Sequence, residues 1–141
     1  MPNWCNNTLT VSGPQEIISR MRSEIRGKQE EVLDFEMILP TPRDLLEGQG
    51  WYDWRVANWG TKWNADDSAL EEISAEEMVY YFMSAWSPPI QVIAALGKNF
   101  PSLSFNLQYS EPGCAFKGRF VVENGLVTFN ESENIEESYG D

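Results

Sequence analysis

Two stretches of helical periodicity, each opened by proline and each preceded by alternating residues, constrain this fold more than any other feature of the sequence. In the first, Leu9 and Val11 alternate with Thr8 and Thr10 from Asn7 to Ser12, as a half-buried strand requires, and Gly13-Pro14 ends the run. Proline suits the first helical position because its missing N–H has no intrahelical partner to lose, and Glu16 sits favourably at the positive helix end. Ile17, Ile18, Met21 and Ile25 then recur at helical spacing, apart from Arg20, Arg22 and Arg26, and Gly27 closes the helix. In the second, Met78 to Trp86 places Val79, Tyr81, Met83 and Ala85 on one side and Tyr80, Phe82, Ser84 and Trp86 on the other. Apolar character on both sides predicts a central strand covered on each face. Ser87 reads as an N-cap ahead of Pro88 and Pro89, and Ile90, Ile93, Ala94 and Leu96 as the buried stripe of a second helix bracketed by Gly97 and Pro101.

Between these units, Val32 to Leu39 alternates, with Leu33, Phe35, Met37 and Leu39 in one phase, and predicts a strand stopped by Pro40-Thr41-Pro42. Residues 43–63 form an irregular insertion holding Trp51, Trp54, Trp59 and Trp63, in which Trp51, Trp54 and Asn58 share a short helical face. Asn64 to Ile73 reads as a strand or an acidic loop. Leu103 to Tyr109 alternates through Phe105 and Leu107. Phe116–Glu123 and Leu126–Asn130 then flank Asn124-Gly125, a hairpin signal because both central positions of a type I′ turn need positive φ. Setting aside the insertion and the last hairpin, the order is βαββαβ: an α+β, ferredoxin-like antiparallel sheet with two helices on one face. One domain over residues 1–130 is expected, with an acidic, fraying tail over 131–141.

Five strings occur in order: Asn3-Trp4-Cys5-Asn6-Asn7-Thr8-Leu9, Leu39-Pro40-Thr41-Pro42, Asn58-Trp59-Gly60-Thr61-Lys62-Trp63-Asn64, Ser84-Ala85-Trp86-Ser87-Pro88-Pro89 and Tyr109-Ser110-Glu111-Pro112-Gly113. Together they resemble the YubB-type ferredoxin-like proteins of bacteriophages and conjugative plasmids, which include Api-like phage proteins, over roughly residues 2–120. The resemblance implies a ferredoxin-like domain and a mobile-element origin; it brings no catalytic or binding residues to carry over.

The charge bears on partners. Ten Lys and Arg stand against twenty-two Asp and Glu, a net charge of −12. Residues 1–62 hold nine acids and seven bases, whereas residues 63–141 hold thirteen acids and three bases. Such a field repels phosphate backbones and anionic lipid, so direct nucleic-acid or membrane-surface binding is disfavoured, and the plainest use of the charge is solubility. No run of 18 apolar residues and no export-type N-terminus is present, which predicts a cytoplasmic protein. Cys5 and Cys114 stand outside any C-x-x-C pattern and read as apolar fillers in a reducing compartment. The sequence has no histidine, so Ser/His and Cys/His nucleophile pairs and His-rich metal sites are excluded; no metal or cofactor is expected.

Two sets of residues remain as candidates. Asn58, Trp59, Lys62 and Trp63, joined by Trp86, combine stacking faces, an amide and a cation around the permissive Gly60, and could hold a peptide or nucleotide; the competing reading packs Trp59, Trp63 and Trp86 together to close the insertion over the sheet. The carboxylates Asp66, Asp67, Glu71, Glu72, Glu76 and Glu77 form a candidate acidic partner surface, with a merely solvated face as the alternative. The leading expectation is a non-enzymatic phage or plasmid accessory protein that binds a basic surface of a host protein, by mimicking phosphate on a nucleic-acid-processing or defence enzyme. A single-stranded nucleic-acid module using sheet aromatics with Arg20, Arg22, Arg26, Arg43 and Lys62 comes second, and a carboxylate-, Lys62- or Cys114-based enzyme acting on a nucleotide third. Oligomeric state is not legible in the sequence.

Overall fold

The computed structural model of the protein describes residues 3–135. Strand β1 (Trp4–Ser12) and helix α1 (Gln15–Ile25) come first, followed by a long connection that contains α2 (Arg43–Leu46) and α3 (Gly50–Asn58). Then come β2 (Asp66–Ser74), β3 (Glu77–Ala85), α4 (Ile90–Asn99), β4 (Ser104–Glu111), β5 (Phe116–Glu123) and β6 (Leu126–Asn134). All six strands form one antiparallel sheet in the spatial order β2-β3-β1-β4-β5-β6. The first four strands with α1 and α4 make the expected βαββαβ unit, and β5 and β6 extend its sheet beyond β4.

Register explains which residues form the core. On β1, Cys5, Asn7, Leu9 and Val11 are buried while the alternate residues are not, as a period of two demands. Leu9 lies opposite Tyr80 on β3 and Leu107 on β4, and Val11 opposite Met78 and Phe105. Ile18, Met21 and Ile25 of α1 and Val92, Ile93 and Leu96 of α4 cover this face, in one continuous cluster with Phe120 and Val122 of β5. Each fully buried side chain of this kind contributes about 1.5–3 kcal/mol of transfer free energy. Among the described residues no helix of that cluster covers the opposite face of the sheet.

Several local expectations change. Val32–Leu39 is not a strand: its only regular element is a single 3₁₀ turn over Phe35–Met37. Side chains have taken the backbone donors that a ladder would need. Asp34 accepts from Glu36 N at 2.9 Å, Asn64 accepts from Phe35 N at 2.8 Å, and Ile38 N returns to Phe35 O. Leu33, Phe35 and Ile38 are consequently the buried residues, and Met37 faces out. The second strand of the βαββαβ unit is Asp66–Ser74 instead, so the insertion precedes that strand. Pro14 occupies the N-cap, its carbonyl accepting from the Ile17 and Ile18 amides at 3.0 Å. Ser87 is no N-cap either; Pro89 holds that position, and the Ser87 hydroxyl donates to the Gly60 carbonyl. The Asn124-Gly125 turn has φ values of 55° and 77°, as a type I′ hairpin requires. β6 runs on to Asn134, into the stretch expected to fray, and residues 136–141 lie outside the described residues.

Candidate functional site

The tryptophan segment is built largely as architecture. Trp59 is completely buried; its indole N–H donates to the Leu39 carbonyl at 2.9 Å, and its ring meets Phe35 and Trp54 edge-on at 5.5 and 6.1 Å. Arg55, which the sequence does not single out, ties the insertion together. Its guanidinium lies 4.7 Å from the Trp59 ring and 5.0 Å from the Trp51 ring, pairs with Glu36 at 3.0 Å and donates to the Thr41 hydroxyl at 3.1 Å. Glu36 in turn accepts from the Thr41 amide at 2.6 Å. Asn58 spends its amide on the Trp54 carbonyl at the end of α3. Gly60 has φ +90° and sits against the Pro88 carbonyl, where a side chain would both strain the backbone and collide.

Lys62, Trp63 and Trp86 lie outside this core. Trp63 is 37% exposed and packs against Trp4 at 6.0 Å, while Lys62 stands 4.4 Å over the Trp63 ring and 5.9 Å from Tyr52. Trp86, 45% exposed with φ +70°, follows β3 and donates its backbone N–H to Asn3. Among the described residues no ring contact joins Trp59, Trp63 and Trp86, so the three do not pack as one cluster, and the buried Trp59 presents no face to solvent.

The six candidate carboxylates all lie on the β2–β3 hairpin, at one edge of the sheet, but they do not share one face. Strand alternation sends Glu71 to the open side, where it accepts from the Tyr81 hydroxyl at 2.9 Å, and Glu72 to the helix side, where it pairs with Arg22. Asp66 begins a register shift that ends at Ala69, and within it Asp67 adopts φ +50°. Glu76 lies in the turn and Glu77 opens β3, beside Ser12 and Ser74 in register. Asp66, Asp67, Glu76 and Glu77 make no ion pair among the described residues.

A groove of about 490 Å³ lies on the open face of the other half of the sheet, a place no sequence pattern marked. Register arranges its side chains in two parallel rows across β1, β4, β5 and β6. One row runs Asn6, Ser110, Lys117, Glu133; the other runs Thr8, Gln108, Arg119, Glu131. Lys117 and Glu133 pair at 3.6 Å. Arg119 donates from Nε to Asn106 at 3.1 Å and lies 5.3 Å from the Phe129 ring, which forms one wall. By contrast, of the bases expected beside sheet aromatics for nucleic-acid binding, Arg20 and Arg22 belong to α1 on the helix side and Arg26 caps its C-terminus. Arg20 engages Glu24 and the Phe100 ring, and Arg22 engages Glu72.

Burial holds two groups of the interior, Cys5 and Tyr80, in their uncharged forms. Burial pushes the Cys5 thiol up to about 12 against an opposing hydrogen bond from Ser84, so Cys5 is no nucleophile near neutrality. Burial likewise raises the Tyr80 hydroxyl to about 12, with Arg22 opposing and Glu72 adding, and that hydroxyl has no hydrogen-bond partner among the described residues. Tyr109 is raised chiefly by burial; Tyr81 is raised chiefly by its hydrogen bond to Glu71. Glu111, the buried last residue of β4, accepts from the Gly113 and Cys114 amides and so shapes the turn after the strand. Cys5 and Cys114 are both free thiols. Among the described residues no cluster of three or more Cys, Asp or Glu is placed to hold a metal ion, and no helix is long and apolar enough to cross a membrane.

Residues 58–140, more than half of the chain, match a family model described as the ferredoxin-like domain in Api92-like protein; the match starts at the last residue of α3 and takes in β2 to β6. The fold is similar to that of the crystal structure of protein api92 from Yersinia pseudotuberculosis, with a TM-score of 0.77 over 95% of this chain and 99% of that one. At 10% sequence identity that likeness speaks for the fold alone. No curated protein matches the sequence.

Proposed function

The chain belongs to the family of Api92-like proteins with a ferredoxin-like domain, and from that premise we propose that it is a non-enzymatic accessory protein of a bacteriophage or conjugative plasmid that binds a basic surface of a host protein in the bacterial cytoplasm. The observation that carries this reading is the β2–β3 hairpin: an exposed sheet edge with six carboxylates, of which Glu72 alone forms an ion pair among the described residues. Carboxylates projecting from both faces and the turn of an extended edge offer a basic groove a dense band of negative charge, and such complementarity sets partner choice and association rate. The target class is therefore a nucleic-acid-processing or defence enzyme whose phosphate-binding groove the hairpin occupies. A nucleic-acid module ranks second, supported by Arg119 and Lys117 on the open sheet face and opposed by the net charge of −12.

The test is affinity purification from host lysate at low salt with the wild-type protein and with a variant carrying Asp66→Asn, Asp67→Asn, Glu71→Gln, Glu76→Gln and Glu77→Gln. A basic nucleic-acid-binding protein should be captured by the wild type, be released by raised salt and be missing from the variant sample. Capture of the same proteins by both, or of no basic protein at all, defeats the proposal.

A further inference from the structure

We propose that the open-face groove is a binding site for a small molecule carrying one anionic group, carboxylate or phosphate, on a body rich in hydroxyl or amide groups. Four observations converge there. Asn6, Thr8, Gln108 and Ser110 project into the groove from neighbouring strands, and none of their side chains makes a hydrogen bond among the described residues. They supply donors and acceptors in adjacent pairs, the arrangement that recognises a polar ligand body. Next, two of the three bases in the acidic segment 63–141 lie here, side by side on one face of β5.

The third observation separates those two bases. Lys117 is engaged by Glu133, whereas Arg119 forms no ion pair among the described residues, and its single protein hydrogen bond uses Nε. Asn106 and the Phe129 ring fix the guanidinium and leave its two terminal nitrogens for a planar pair of acceptor oxygens, the fork geometry that suits carboxylate and phosphate. Finally, the volume of about 490 Å³ lies within the range of small-ligand sites, about 300–1,000 Å³. Glu131 and Glu133 on the far side of the rows, together with the net charge, disfavour a polyanion. A single anionic group placed over Arg119 is the charge pattern that fits, with the neutral body over β1 and β4.

This site is independent of the acidic hairpin, which lies at the other edge of the sheet. Titration of ¹⁵N-labelled protein with D-glucuronate in one arm and adenosine monophosphate in the other distinguishes a sugar acid from a nucleotide as the source of the anion. Saturable shifts are expected at the amides of Thr8, Gln108 and Arg119 in one arm, weakened by about tenfold or more in Arg119→Ala, as loss of a charge-assisted pair of hydrogen bonds requires. Glucose, which lacks the anion, should bind more weakly than glucuronate. Should Arg119→Ala lose its dispersed spectrum, Arg119→Lys keeps the charge and removes the fork, and binding should still fall several-fold. No saturable shift at millimolar concentration in either arm, or shifts that neither Arg119 variant weakens, overturns the assignment.

Discussion

At the scale of single residues, the buried polar atoms are where this protein gives up stability. Tyr80 is fully enclosed between its neighbours in the core, yet its hydroxyl has no partner among the described residues. An unsatisfied buried hydroxyl costs free energy in the folded state that the solvated unfolded chain does not pay. Tyr80→Phe, which keeps the ring, is therefore expected to raise stability by about 1 kcal/mol at neutral pH, read as a shift in the urea midpoint. The pH dependence gives a second readout. Because the folded-state value of Tyr80 is raised from 10.0 to about 12, the fold favours the protonated hydroxyl: its contribution is complete below pH 10 and is lost as pH climbs from 10 towards 12. Cys5, raised from 9.0 to about 12, adds a similar loss that begins from pH 9. The gap between Tyr80→Phe and wild type should consequently widen above pH 10, while the loss due to Cys5 persists in both proteins. A constant gap would show that the hydroxyl does not resist ionisation.

At the scale of elements, the insertion hangs on a few polar ties. Arg55 links α3 to the chain around Glu36 and Thr41 and stacks on Trp51 and Trp59, so Arg55→Ala leaves the Glu36 carboxylate without its partner and removes two cation–π contacts. The expected loss is about 2 kcal/mol, with faster amide exchange in α3 and in residues 33–41 and little change in β1, β3 and β4. Equal acceleration in the central strands would mean that the insertion and the sheet open together. The same ties explain what could be read from the sequence. Strand β1, helix α1, strand β3 and the Asn124-Gly125 hairpin were legible because periodicity and turn chemistry are local properties. Val32–Leu39 alternates as a strand does, but Asp34, Asn64 and Glu36 capture its neighbouring amides, and one of those partners lies about thirty residues away in sequence. The groove was illegible for the same reason. Asn6, Thr8, Gln108 and Ser110 look like ordinary outward-facing strand residues, and cross-strand register alone brings them beside Lys117 and Arg119.

At the scale of the whole molecule, the acid excess acts on folding and on partner binding with opposite signs. Twenty-two acids and ten bases give a self-repulsion that opposes compaction, and only four ion pairs are found among the described residues, three of them with well-exposed partners. Exposed pairs of that kind are worth about 0–1 kcal/mol each, too little to offset the surplus. Raising salt from about 10 mM to about 150 mM shortens the screening length from about 30 Å to about 8 Å, which weakens repulsion spread over the surface more than it weakens pairs already in contact. The protein should therefore become more stable with salt, by about 1 kcal/mol or a few degrees in Tm. Binding of a basic partner at the β2–β3 edge should weaken over the same range, since its attraction is screened as well. Thermal melts and partner capture measured across one salt series test both signs at once. A Tm that falls with salt would mean that the contact pairs outweigh the repulsion, and capture that holds constant would mean that the partner is gripped by something other than the carboxylates of the hairpin.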